Sequence, residues 1–140
     1  CPFARNARLQ NKYDVRLGDD LERDLFLFSK KQYLGKNDVI IYAYPSKQYD
    51  DAYFNWVVDV VNTSKGFTKR NLLALADHPD TIEEQNGVVF NMGKYALVLI
   101  QDKEKLHDHA KMIAHRGYYD DWDEDYLLDV FAHRKDPRKK

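Results

Sequence analysis

Cys1, Arg5 and His78 are the residues of this chain whose types could combine into a reaction. If Phe3-Ala4-Arg5 opens a helix, Cys1 lies near its N-terminus, where the helix dipole and a nearby guanidinium both favour the thiolate. His78 follows an apolar run that reads as a strand, and open sheets place ligands beyond strand ends. A thiolate at Cys1, a base at His78 and an anion clamp at Arg5 would form a covalent-catalysis or acid-binding pocket. The plainer alternative packs Cys1 as a small hydrophobe, pairs Arg5 at the surface and uses His78 to cap the turn before Pro79.

Other constellations fall short of a site on spacing. His107-Asp108-His109 with His115 suggests a metal, but on a helix residues 107 and 109 point roughly 200° apart and 107 and 115 are about 12 Å apart. Zinc ligands must meet about 2 Å from one ion. The run Asp120-Asp121-Trp122-Asp123-Glu124-Asp125 begins like a calcium loop. Tyr126 stands where that loop needs Gly, and Ala132 where it needs Glu. Helix capping explains the run, and the same carboxylates could meet a basic partner. Tyr42, Tyr44, Tyr49 and Tyr53 with Lys47 could stack a flat ligand, or border a core as amphipathic side chains. Arg134, Lys135, Arg138, Lys139 and Lys140 could touch phosphate, or form a solvated tail. The six glycines are scattered, and no phosphate loop, Gly-x-Ser-x-Gly elbow or Cys-x-x-Cys pair occurs. No cofactor and no metal are expected.

The elements that must carry these residues follow from periodicity. Leu21, Leu25 and Phe28 behind Asp19-Asp20, with Gly35 beyond, predict a helix over about 20–33. Val39 to Tyr44, stopped by Pro45, predicts a strand. Asp50-Asp51 opens a second helix whose apolar residues, Tyr53, Phe54, Trp56, Val57, Val58, Val60 and Val61, cover more than one face and so predict a central helix. Leu72 to Ala76 is a second buried strand, giving a strand–helix–strand crossover onto one sheet. Residues 77–87 read as a polar loop and Val88-Val89-Phe90 as a short edge strand. Tyr95 to Ile100 fits either a strand, with Asp102 capping a following helix, or one helix over 94–116. The unbroken spacing through Leu106, Ala110 and Ile113 favours the single helix. A last helix runs over about 124–134, with Asp123 as N-cap and Trp122 and Leu127 as a hydrophobic staple.

Composition bounds the rest. With 140 residues, 44% apolar and 14% aromatic, the chain can bury one domain's core despite 32% charge. A net charge of −1 points to neither nucleic acid nor membrane. No apolar run approaches the ~20 residues of a membrane span, and no signal-peptide pattern is present. The lone cysteine fits a reducing, cytoplasmic setting. The chain opens on Cys, so residues are expected upstream.

Cys1-Pro2-Phe3-Ala4-Arg5, Ile40 to Pro45, Leu75-Ala76-Asp77-His78-Pro79-Asp80 and, more loosely, Asn91-Met92-Gly93-Lys94-Tyr95 follow one another in an order that resembles an uncharacterised bacterial domain family opening with Cys-Pro-Phe-Ala-Arg. The resemblance spans about residues 1–100. It implies an α+β fold, points to Cys1 and His78 as reactive residues, and points to Arg5, Asp80, Asn91 and Tyr95 as binding residues. It implies no reaction. The family pattern carries Pro after its last aromatic and an Arg further along, where this chain has Ala96 and Gln101.

These readings predict one α+β domain over 1–134 and a basic tail over 135–140. The domain is a three- to four-stranded sheet with helices packed largely on one face and two C-terminal helices. Function divides between a small enzyme or anion-binding protein with its pocket near Cys1, Arg5 and His78, and a noncatalytic protein-interaction module using aromatic and acidic C-terminal surfaces.

Overall fold

The structure, a computed structural model, describes residues 7–32, 34–81, 84–85, 88–89 and 93–139. Its elements in chain order are β1 (Tyr13–Leu17), α1 (Leu21–Lys31), β2 (Val39–Pro45), a 3-10 turn (Ser46–Gln48), α2 (Asp51–Asn62), α3 (Lys65–Lys69), β3 (Leu72–Asp77), β4 (Glu84–Gln85), β5 (Val88–Val89), β6 (Tyr95–Asp102), α4 (Lys103–His115) and α5 (Glu124–Val130). The α+β class, the strand–helix–strand crossover and the two C-terminal helices match expectation.

The main sheet has four strands in the order β1-β2-β6-β3. β1 runs parallel to β2, while β6 is antiparallel to both β2 and β3. β2 and β3 therefore point the same way with β6 between them. β5 pairs with β4 in a separate two-stranded sheet, so Val88–Val89 is not an edge of the main one.

One face of the sheet is closed by α1, α2 and α3. Ile40, Tyr42 and Tyr44 of β2, Ala96, Val98 and Ile100 of β6, and Leu72 and Ala74 of β3 meet Leu21, Leu25 and Phe28 of α1 and Phe54, Val57, Val58 and Val61 of α2. The i, i+4, i+7 spacing of α1 thus forms one buried stripe. Full burial of side chains such as Phe28 and Phe54 stabilises by roughly 1.5–3 kcal/mol each. Asp20 caps α1 by accepting the Arg23 N–H at 3.1 Å. At the other end Arg70 donates to the Phe28 carbonyl at 2.8 Å and to the carbonyls of Ser29 and Gln32. These carbonyls belong to the C-terminal end of the helix, where the Phe28 carbonyl also accepts the Gln32 N–H at 3.3 Å, and the cation complements the dipole there. Gly66 lets α3 approach this point, because a Cβ would collide with the Ser29 carbonyl.

Residues 95–102 form a strand, not the first half of a long helix. Ala96, Val98 and Ile100 alternate onto the helix-covered face, and the slot between β2 and β3 supplies ladder partners on both sides. Asp102 then starts α4 by accepting the N–H groups of Glu104 at 2.9 Å and Lys105 at 3.0 Å. The opposite sheet face is covered by α4, whose buried Leu106 packs with Leu73 and Leu75. Tyr119, Leu127 and Phe131 form a small second core with Ile113, Trp122 and Val130.

α2 is not the centrally buried helix its composition predicts. It lies outside the sheet, and Trp56 and Val60 of its second apolar face are 59% and 48% exposed. Helix α5 stops at Val130, and Asp123 makes no side-chain cap bond. Residues beyond it fold back instead of trailing as a solvated tail. Pro137 is buried, and Arg138 pairs with Asp136 at 2.6 Å and Glu124 at 3.1 Å.

Candidate functional site

The end of the sheet where β2 and β3 stop carries two of the residues singled out by chemistry, His78 and Tyr95. Asp77 pairs with Leu97 and Pro45 pairs with Tyr95, so His78 and Tyr95 leave the sheet at the same end. Cys1, Arg5 and Asn91 lie outside the described residues. Tyr95 is half exposed and Asp80 projects into solvent.

His78 is fully buried. Its Nδ1 accepts the Asp80 N–H at 3.1 Å, and its Nε2 lies 2.8 Å from the Tyr49 carbonyl oxygen. Since Nδ1 must accept, Nε2 carries the proton and donates. The ring edge also packs on Phe54, with centroids 5.5 Å apart. Both ring nitrogens are engaged by backbone groups, so the ring ties two turns together. The turn after His78 is stitched to α2 as well: Asn55 donates to the Thr81 hydroxyl at 3.1 Å, and that hydroxyl to Asp51 at 3.4 Å. One titratable group here escaped the sequence reading. Burial pushes the Asp77 carboxyl above the usual carboxylate range.

Tyr49 and Tyr53 stack on each other with centroids 5.9 Å apart, but the other two tyrosines offer no stacking surface. Tyr42 and Tyr44 are buried, and Tyr44 meets Tyr49 and Phe54 edge-on inside the core. The C-terminal aromatics are likewise occupied with one another: Tyr119 packs at right angles on Trp122 and Phe131. The acidic residues around them stay exposed.

An apolar surface opening lies elsewhere, between α1 and α2. It is a groove of about 660 Å³. Leu25, Val57 and Val61 form its floor; Phe26, Trp56 and Val60 form its walls. Phe26 is 58% exposed, so this helix–helix seam shows three large apolar side chains to solvent. Asp20, Glu22 and Arg23 mark one end, and Ser29 and Ser64 line its wall further along. Tyr53 hydrogen-bonds Glu22 beside that charged end, which pushes its phenol up to about 12, with burial adding to the effect. The Leu21 N–H donates to the Tyr49 hydroxyl at 3.0 Å, tying the N-terminal ends of α1 and α2 together. The sequence signal for this groove was present in the excess apolar coverage of α2.

Among the described residues no group of three or more His, Cys, Asp or Glu side chains is placed to hold a metal, and no helix is long and apolar enough to cross a membrane. No protein-family model, curated protein or solved structure matches this chain.

Proposed function

We propose that this chain is a noncatalytic protein-interaction module that docks an amphipathic helix of a partner in the groove between α1 and α2. The observation that carries the reading is the exposure of Phe26, Trp56 and Val60 around one apolar cleft. Contiguous exposed apolar surface rimmed by charge marks interaction sites in monomeric domains, and aromatic side chains in such clefts act as binding anchors. At 1.5 Å per residue the 11-residue α1 is about 16 Å long, enough for three turns of a docked helix. Asp20 and Glu22 outweigh Arg23 at one end and favour a partner helix with basic residues there. The docking face therefore lies on α1 and α2, away from the C-terminal aromatic and acidic surface.

The test uses two peptides of about 11 residues with Leu at i, i+4 and i+7, one with lysines and one with glutamates at its polar positions. The basic peptide should bind, and the acidic one at least about tenfold more weakly. Val60→Asp should abolish binding without shifting the melting temperature, because Val60 is exposed. Failure of both peptides to bind, or an indifferent Val60→Asp variant, rejects the reading.

A second reading retains a small-molecule pocket at the end of β3, with Cys1 as thiolate and Arg5 as anion clamp. It is favoured by Asp77, a desolvated carboxyl suited to holding a proton. Cys1 should then be alkylated by iodoacetamide faster than free cysteine near neutral pH; an equal or slower rate removes it. A reducing, cytoplasmic setting fits both readings, since Cys1 is the lone cysteine.

A further inference from the structure

A second opening, independent of the groove, lies between α4, α5 and the folded-back C-terminal segment. It has a volume of about 580 Å³, the size of a small-molecule site. Its apolar floor is Leu127, Leu128 and Phe131, and its charged wall is Lys111, Arg134, Lys135 and Lys139. Among the described residues none of these four cations forms an ion pair. Asp136 also lines the opening, but its carboxylate is held by Nε and Nη2 of Arg138, which binds Glu124 with Nη1 and Nη2. The hydrogen-bonding oxygens of Asp136 are therefore taken by a different arginine, and of the four cations Lys139 alone lies near enough to feel the Asp136 and Glu124 charges.

Arg134 is the centre of this arrangement. Its Nε donates to the Val130 carbonyl at 3.3 Å, and its guanidinium lies over the Phe131 ring, 4.9 Å from the centroid. Those contacts fix the plane of the fork and leave Nη1 and Nη2 without a protein acceptor among the described residues. Desolvation pushes the group down from its ordinary value, as befits a partly buried cation without a counter-ion. His107, one helical turn before Lys111 on α4, has a buried Nδ1 with no hydrogen-bond partner. A fixed guanidinium fork, three flexible ammonium groups and an orphaned imidazole nitrogen all lack a common acceptor. Phosphate oxygens match the fork geometry in pairs.

We infer that this opening binds a small organic phosphate, its phosphates on Arg134, Lys111, Lys135 and Lys139 and its apolar body on Phe131 and Leu128. The apolar floor distinguishes such a ligand from inorganic phosphate, and the size of the opening exceeds what a lone phosphate fills.

ATP, pyrophosphate and adenosine serve as probes, titrated by calorimetry into the full chain at moderate salt. ATP should bind at least about tenfold more tightly than pyrophosphate, and adenosine should not bind detectably. Arg134→Gln and Lys111→Glu should each weaken ATP at least about tenfold, whereas Lys36→Glu, outside the opening, should leave it unchanged. Lys111 is exposed, so its variant stays informative if Arg134→Gln fails to fold. No binding of ATP, equal affinity for pyrophosphate and ATP, or equal losses from Lys36→Glu and Lys111→Glu would overturn the inference.

Discussion

The imidazole of His78 bridges two turns: Nε2 donates to the Tyr49 carbonyl oxygen at 2.8 Å while Nδ1 accepts the Asp80 N–H at 3.1 Å. The bridge holds the end of β3 against the segment that leads into α2. It explains why a histidine is completely buried at the mouth of the sheet. Replacing it with Phe keeps the ring's bulk but orphans one carbonyl and one N–H. His78→Phe should therefore cost about 2–4 kcal/mol in urea unfolding. A variant as stable as the parent would show that the bridge holds nothing.

Asn62 does a comparable job for the outer edge of the sheet. β3 is an edge strand, and its outward Ala74 N–H and carbonyl are both taken by the Asn62 amide, at 2.7 and 2.9 Å. An edge blunted this way resists pairing with another chain. Asn62→Leu should cost about 2–4 kcal/mol by leaving both groups unsatisfied and should raise light scattering on heating. Loss of stability without added scattering would confine Asn62 to a purely internal role.

The elements that came directly from sequence are those whose local pattern and tertiary role agree. Leu21, Leu25 and Phe28 read as one helical stripe and are buried as one, and Val39 to Pro45 reads and folds as a strand. Tyr95 to Ile100 was ambiguous because six apolar residues satisfy either period. Only the vacant position between β2 and β3, a long-range fact, makes them a strand. β1 has the alternation of a strand in Tyr13-Asp14-Val15-Arg16-Leu17, but it is only five residues long and lies at an edge with its apolar residues exposed. His78 was noticed for its chemistry, but a side chain's hydrogen-bond partners 29 residues away are not encoded in its neighbours. The apolar excess of α2 was legible; whether it faced a core or solvent depended on what else packed there. The fork at Arg134 was hidden in a basic run that gives no local sign of folding back.

Gln101 is the one fully buried side chain among the described residues whose amide oxygen and nitrogen both lack a partner. Its strand position places it beside Val39 and Leu73 on the α4-covered face. A buried amide without hydrogen bonds costs about 1–3 kcal/mol, and Met or Leu fills nearly the same volume. Gln101→Met should therefore raise stability by about 1–3 kcal/mol in urea unfolding. Destabilisation of that size instead would indicate that the amide serves a bound group.

Desolvated phenols should set the alkaline limit of the fold. Burial first, and a hydrogen bond to Asp24 at 2.9 Å second, push the Tyr44 hydroxyl far above the ordinary tyrosine range. Burial also raises Tyr118 and Tyr119. In the unfolded chain a phenol ionises near 10, so above that pH the unfolded state has released protons that the native state still holds. The stabilisation is complete below about 10 and declines as pH rises beyond it. Tyr44→Phe should flatten that decline, measured as urea midpoint against pH. Tyr53 supplies the control, because it is raised to about 12 mainly through Glu22 and lies at the surface. Glu22→Gln should return its titration, followed by phenolate absorbance, toward about 10 while leaving the urea midpoint at neutral pH in place. If Tyr44→Phe unfolds along the parent's alkaline curve, the limit arises from other groups and the core phenol is a bystander.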